Sequence, residues 1–321
     1  MSRIINSINT ASEALLKGNP VAIPTETVYG LAALATNEEA IAKIFTLKKR
    51  PRNHPLIMHV APEWDIAQWA CNIPEYAYSL IQNFWPGPLT LVLPYRQGSV
   101  SPLVNANQTS IALRCPSHPL TLELLRKVKV PLVAPSANPF GKISPTTAQH
   151  VLKSFPDADL YILDGGRCPI GIESTIVSAL DPGGWQILRA GRIHADELKK
   201  ISKQSIQQRS ENIRVSGNLK THYQPEKPLW YFESIQALTD FLHDTPKRVF
   251  VLHSNCPENH PLQDFAILPE EPEAAARELY YQLRLADESA AECIALVLPD
   301  STSANQGIRE RIIKAGKPGD L

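Results

Sequence analysis

Short apolar runs alternate with helical stripes along most of this chain. Pro20–Ile23 is a strand candidate that ends in a cluster of polar side chains, Thr25, Glu26, Thr27 and Tyr29. Asn37 is placed to cap a helix that opens on Glu38 and Glu39 and repeats Ile41, Ile44, Phe45 and Lys48 on successive turns. Leu56–Val60 then reads as a buried strand. Ala77, Leu80, Ile81 and Phe84 form a second helical stripe, stopped by Pro86-Gly87-Pro88. Further strands are predicted at Leu89–Leu93, Ser110–Leu113, Leu132–Ala134, Leu160–Leu163, Thr175–Leu180 and Gln186–Leu188, with helices near Leu120–Val128 and Thr146–Phe155. Several of these strands have no helix between them, so the pattern predicts an α/β body built on a mixed sheet.

After Ile193 the texture changes. A helix near Ala195–Lys203 gives way to Ser205–Lys227, a polar stretch without apolar period that reads as a linker. Strand and helix patterns then resume: Leu229–Phe232, Val249–Leu252, Phe265–Leu268 and Cys293–Leu298 as strands, Ile235–Leu242, Glu273–Ala286 and Ala304–Lys314 as helices. The expected organisation is a first domain over residues 1–204, a linker over 205–228 and a smaller α/β domain over 229–321.

Composition narrows the picture mainly by exclusion. Of 321 residues, 32 are Lys or Arg and 32 are Asp or Glu, so the formal net charge is zero. That balance disfavours a protein that coats nucleic acid by bulk charge, while leaving a local basic patch open. The 5 cysteines are scattered and form no C-x-x-C pair, which argues against a zinc or disulfide framework. The first ten residues lack an export signal and no run approaches the length of a membrane span, so a cytoplasmic protein is expected.

The usual phosphate and nucleophile devices are missing: no G-x-G-x-x-G, no G-x-x-x-x-G-K-[ST], no G-x-S-x-G and no H-E-x-x-H. A phosphate would therefore have to be held by side-chain cations. Lys48, Lys49, Arg50 and Arg52 cluster just where the first helix ends. The competing reading is a solvated helix terminus, where cations suit the negative end of the dipole. Ser136 and Asn138 follow an apolar strand and stand two apart, on one side if the strand continues; turn chemistry explains them equally. Arg114 and Arg189 each close an apolar strand, where a cation is less accidental than on a surface helix.

Taken in order, these segments carry a resemblance. Pro24–Leu31, Lys48-Lys49-Arg50-Pro51 with Pro55-Leu56, Ser136-Ala137-Asn138 with Ser144-Pro145-Thr146, Gly171–Val177, Arg189-Ala190-Gly191 and His222-Tyr223-Gln224-Pro225 resemble the YrdC-like L-threonylcarbamoyladenylate synthases in their long, two-domain form. The resemblance implies a YrdC-like mixed twisted sheet with helices, followed by a linker and a smaller Rossmann-like α/β/α domain. It implies a nucleotidyltransferase that makes threonylcarbamoyl-AMP and pyrophosphate from L-threonine, bicarbonate and ATP, with Mg2+ carried on the triphosphate and no protein metal site. The product would pass to a separate threonylcarbamoyl transferase complex, so that tRNA is a partner only indirectly.

The same resemblance implies roles for particular residues. Lys48, Arg50, Ser136 and Asn138 would form the central catalytic constellation. Thr27, His59, Arg114, Ser136 and Ser174 would line the L-threonine pocket, with Arg114 as the partner of the amino-acid carboxylate. Arg50, His54, Ser110, Asn138, Ser144, Arg189 and Tyr223 would contact ATP, Tyr223 as a lid from the linker. Lys49 and Arg52 are expected in solvent, and Thr25 and Tyr29 are as well suited to packing as to ligand contact. The alternatives are an RNA-binding or ribosome-maturation module without catalysis, and a carbamoyltransferase-type relative using another carbamate.

Two departures from the family pattern stand out. Val215–Lys220 lacks the proline that the family usually places before the glycine, and His54 stands where the family usually has lysine before Pro-Leu. A histidine titrates near neutrality. ATP affinity is therefore expected to fall more steeply between pH 6 and 8 than in a His54→Lys variant; equal slopes in a binding titration would remove His54 from the phosphate contacts.

Overall fold

The computed structural model describes residues 1–206, 213–217, 222–254 and 263–319. They cluster into two units: Met1–Phe140, Pro145–Pro169 and Glu173–Asn218 in the first, and Gly141–Ser144, Ile170–Ile172 and Leu219–Leu321 in the second. Within the linker, Lys220 and its neighbours at 218, 219 and 221 lie outside the described residues.

The strands of the first unit are β1 (Arg3–Ile5), β2 (Val21–Ile23), β3 (Gly30–Leu34), β4 (Ile57–His59), β5 (Leu89–Pro94), β6 (Ser110–Arg114), β7 (Leu132–Val133), β8 (Tyr161–Leu163), β9 (Thr175–Asp181), β10 (Gly184–Arg189) and β11 (Ser205–Ile206). They form one sheet in the order β1-β8-β2-β3-β7-β4-β6-β5-β9-β10-β11. The sheet is mixed, as expected: β2, β3, β7 and β4 pair antiparallel in succession, whereas β4–β6 and β5–β9 are parallel. The helices are α1 (Ile8–Leu16), α2 (Glu38–Lys48), α3 (Glu75–Phe84), α4 (Pro102–Asn105), α5 (Pro119–Val128), α6 (Ala148–Ser154) and α7 (Ala195–Ser202).

The pattern missed β1, β3, β11, α1 and α4. β3 reads Gly-Leu-Ala-Ala-Leu and every residue in it is buried, so it shows no alternation and uses weak strand formers. β1 and β11 are too short for any period, and α1 buries the small residues Ala11, Ser12 and Ala14 beside Leu15.

Both faces of the sheet are covered. Ala22, Leu31 and Ala33 pack into a cluster with Ile41, Ile44, Phe45, Leu91 and Leu113. Their chain neighbours Val21, Ile23, Ala32 and Leu34 join the opposite cluster, with Leu15, Leu124 and Leu125. A smaller cluster seats Val215 on Ile57, Val92, Ile176 and Leu188, so part of the linker completes the core of this unit.

α2 carries the cationic run into the fold. The Asn37 side chain accepts a hydrogen bond from Ala40 N at 3.0 Å, and Glu38 and Glu39 occupy the first turn. The spacing that buries Ile41, Ile44 and Phe45 brings Lys48 inward with them, and Lys49 ends the helix in the left-handed region at φ 52°.

In the second unit β12 (Leu229–Phe232), β13 (Val249–His253), β14 (Gln263–Ile267), β15 (Cys293–Val297) and β16 (Lys317–Pro318) form an all-parallel sheet in the order β14-β13-β15-β12-β16. Helices α8 (Ile235–Asp244), α9 (Pro272–Glu288) and α10 (Gln306–Ala315) connect them. Leu238 and Leu242 of α8 pack on Val249, Val251, Cys293 and Ala295; the alternate residues Phe250, Leu252, Ile294 and Leu296 are buried too. Two covered faces explain why these strands are continuous apolar runs. Among the described residues no helix is long and apolar enough to cross a membrane.

The turn after β10 is pressed against the start of β9. A Cβ on Gly191 would lie 2.4 Å from Thr175 N and 2.7 Å from Glu173 O. Both obstacles are backbone and cannot swing aside. Gly191→Ala should therefore destabilise the protein by roughly 1–3 kcal/mol, read as a lower urea midpoint; an unchanged midpoint would show that the turn has room to move.

Candidate active site

Lys48 is 1 % exposed, and its ammonium donates to Ser136 O and Asn138 O, each at 2.5 Å. Arg50, also buried, donates through Nη2 to Pro55 O at 2.8 Å and Ser216 Oγ at 3.0 Å, while its guanidinium lies over the Phe140 ring. Phe140 N in turn donates to Lys48 O, which ties the loop after β7 to the end of α2. Neither cation has a carboxylate partner among the described residues; their neighbours are carbonyl and hydroxyl oxygens. Burial first, then the charge of Arg50, holds the Lys48 ammonium well below its ordinary pKa. Burial and the nearby Arg189 bring Arg50 down to about 10.

Arg189 closes β10 with Nε and Nη2 on Ser174 O, Nη2 on Ser174 Oγ and Nη1 on Ser216 O. Ser216, from the linker, thus touches both guanidinium groups. Ser174 Oγ also meets Thr90 Oγ1 at 2.8 Å. Thr90 is the strand partner of Arg114, and Arg114 is the strand partner of His59. One polar track therefore runs from Arg50 through Ser216, Arg189, Ser174 and Thr90 to Arg114 and His59.

At its far end the electrostatics differ. Arg114 Nη2 makes a 2.6 Å bond to Glu26 Oε1, with both side chains buried, and Ser117 N donates to Glu26 Oε2. Arg114 had been expected to wait for a ligand carboxylate; its Nη2 already has one within the chain, and Nη1 makes no hydrogen bond within the described residues. The sequence places Glu26 in its polar cluster without assigning it a partner. The available signal was a carboxylate in a segment otherwise destined for the core, which requires a partner.

His59 is buried beside this pair, and its Nδ1 has no hydrogen-bond partner. Burial, and after it the charge of Arg114, push its pKa down to about 3, so the ring is neutral at ordinary pH. Arg50 Nε is likewise buried without a partner. Orphaned buried polar atoms are uncommon, and two of them along one track are what a polar ligand would satisfy.

The remaining expectations divide. Thr27 is fully buried with its hydroxyl 2.8 Å from Thr25 Oγ1, in the turn that presents Glu26. Ser136 and Asn138 join the site through their carbonyls, on Lys48. Ser110 sits at the opposite end of β6 from Arg114, in a narrow cleft with Pro55, Arg214 and Ser216. Lys49 and Arg52 are exposed, as expected. The Tyr29 hydroxyl donates to Gly166 O and accepts from Gly165 N. His54 packs edge-on against Phe140, and burial, Arg50 and Arg214 all lower its pKa. These causes shift its titration toward the acid side of the pH 6–8 window inferred from sequence. Ser144 and Tyr223 belong to the second unit, where Tyr223 is buried, stacks on Tyr280 at 5.8 Å and lies beside Arg311. Among the described residues no group of acidic, histidine or cysteine side chains could hold a metal ion.

Residues 13–191 match a family profile described as "Telomere recombination", and residues 193–316 match one described as "Threonylcarbamoyl-AMP synthase, C-terminal domain". The chain is 37% identical over 316 residues to the threonylcarbamoyl-AMP synthase of Bacillus subtilis, covering 94% of this chain and 91% of that one. It is 32% identical over 324 residues to the enzyme of the same name from Pyrococcus abyssi, covering 96% and 93%. The crystal structure of P. abyssi Sua5 complexed with L-threonine superposes with a TM-score of 0.87 at 31% identity, covering 98% of this chain and 97% of that one.

The buried neutral imidazole has a consequence for stability. The folded-state pKa of His59 lies below its ordinary value of 6.5, so the unfolded chain binds the extra proton first as pH falls. Stability should decline from pH 6.5 downward by on the order of 1 kcal/mol per pH unit for this group. Urea midpoints at pH 7, 6 and 5 should fall less steeply in His59→Gln than in the parent; identical slopes would mean that His59 is protonated in the fold.

Proposed function

The chain belongs to the threonylcarbamoyl-AMP synthases in their two-domain form, and from that premise we propose how its own residues divide the reaction. L-threonine and bicarbonate combine with loss of water to a carbamate. A carbamate oxygen attacks the α-phosphorus of ATP, and pyrophosphate leaves. The chemistry needs positioning and charge neutralisation rather than a protein nucleophile.

Lys48, Arg50 and Arg189, with Asn138, Ser110 and His54 around them, take the phosphates. The buried Lys48–Arg50 pair without a carboxylate partner carries this reading, because such charge is costly until an anion arrives. ATP brings its magnesium as part of the substrate. As the triphosphate enters, charge-assisted bonds replace the neutral hydroxyl of Ser216 on Arg50. Thr27, Ser174, Ser136 and the free edge of Arg114 take the threonine, with Nδ1 of His59 available to its polar atoms. Glu26 acts as a positioning residue that fixes the Arg114 plane.

The product serves threonylcarbamoyl modification of the tRNA adenosine next to the anticodon, through a separate transferase in the cytoplasm. A non-catalytic RNA-binding reading fits poorly, since cations buried this deeply cannot follow a nucleic-acid backbone.

Pyrophosphate release from ATP should require both L-threonine and bicarbonate, and release that ignores threonine would sink the reading. Lys48→Ala and Arg50→Ala should each lower turnover by about 10²-fold or more with the thermal midpoint retained. Arg50→Lys should recover only part, because it loses the planar fork. Parental turnover in both alanine variants would remove the pair from the site.

A further inference from the structure

At one end of β4, β6 and β5 three side chains stand in register. His59 pairs with Arg114 and Arg114 with Thr90, so the three share one face of the sheet on adjacent strands about 4.8 Å apart. Two residues along, the same face carries Ile57, Ala112 and Val92, which form part of the apolar cluster around Val215. Leu89 and Leu91, the chain neighbours of Thr90, face the other core. Thr90 is therefore the third member of a polar row whose other two members belong to the amino-acid side, and it has no part in the proposed assignment. A valine would occupy the same strand position with the same β-branched shape. What distinguishes Thr90 is its hydroxyl.

That hydroxyl has one partner among the described residues, Ser174 Oγ at 2.8 Å. Thr90 is fully buried, so it acts through this neighbour rather than on a substrate. A hydroxyl oxygen has two lone pairs and one hydrogen. Arg189 Nη2 donates into one lone pair of Ser174 Oγ at 3.1 Å. When Thr90 donates into the other, both are filled, and the Ser174 hydrogen must point away from both groups. Ser174 can then only donate further. The carboxylate of L-threonine offers only acceptors, and Arg114, next to Thr90 in the row, supplies the neighbouring cationic donors. In the reverse sense, with Ser174 donating to Thr90, the serine hydrogen is spent within the protein. The direction of one hydrogen bond thus decides whether Ser174 is a donor to the ligand.

We propose that Thr90 is a positioning residue for L-threonine: it donates to Ser174 Oγ and so aims the Ser174 hydroxyl at the substrate carboxylate. The inference rests on the assignment of Ser174 to the amino-acid side. Arg189 depends on Thr90 far less, because its Nε and Nη2 also bond the Ser174 carbonyl. The effect is therefore confined to threonine.

The test is steady-state pyrophosphate release by the full-length protein, with L-threonine and ATP titrated separately. Thr90→Val should raise the KM for L-threonine by about fivefold to tenfold, the worth of one hydrogen bond, and leave the KM for ATP within about twofold. Thr90→Ser, which keeps the hydroxyl and drops a methyl, should hold the threonine KM near the parental value while lowering the thermal midpoint. A purely structural Thr90 would give the reverse order. Because Thr90 acts through Ser174, the Thr90→Val/Ser174→Ala double variant should have the same threonine KM as Ser174→Ala alone. A parental threonine KM in Thr90→Val, no recovery in Thr90→Ser, or additive losses in the double variant would each overturn the proposal and leave the assignment of Ser174 standing. A parental threonine KM in Ser174→Ala would instead overturn that assignment, and this proposal with it.

Discussion

Positive charge buried without a carboxylate is the constraint around which the first unit is arranged. Removing an ammonium or guanidinium from water costs several kcal/mol even after local relaxation. Here the offset comes from carbonyl oxygens: Ser136 and Asn138 for Lys48, and Pro55 for Arg50. Each acceptor comes from a loop that must be brought to the sheet by packing elsewhere. α2 is buried along one face to deliver Lys48, the loop after β7 is tied to it through Phe140, and Val215 anchors the linker so that Ser216 can reach two guanidinium groups. Carbonyls satisfy hydrogen bonds without cancelling charge, and in the proposed assignment that potential is met by an anionic substrate.

Arg114 shows the opposite solution with the same side-chain type. Its charge is met by Glu26 at 2.6 Å, and the imidazole beside it is held neutral. In the proposed assignment the nucleotide side is strongly cationic and the amino-acid side close to balanced. In that assignment the gradient would orient the substrates: a triphosphate would gain most at Lys48 and Arg50, whereas threonine, a zwitterion, would tolerate the balanced end. Discrimination then rests on what each end repels as well as on what it binds.

The second unit is organised by backbone topology rather than by buried charge. Its strands are parallel and buried on both faces, and its polar residues collect where the strands stop.

Much was legible from the chain alone. Local periodicity and capping predicted the greater part of the helices and strands, including the Asn37 cap, and the ordered short motifs pointed to the family. The limits were physical. A fully buried strand such as β3 shows no alternation, so its pattern is silent. The run Lys48-Lys49-Arg50-Pro51-Arg52 looks uniformly cationic in sequence, yet helix phase and a left-handed residue at Lys49 turn Lys48 and Arg50 inward and leave Lys49 and Arg52 in water. The partners lie far away along the chain: Glu26 is 88 residues from Arg114 and Ser216 is 166 from Arg50. Propensity and period act over a few residues and determined the elements. Sheet order brings distant strand ends together, and it alone decided that Arg114 meets a carboxylate while Lys48 and Arg50 meet carbonyl and hydroxyl oxygens.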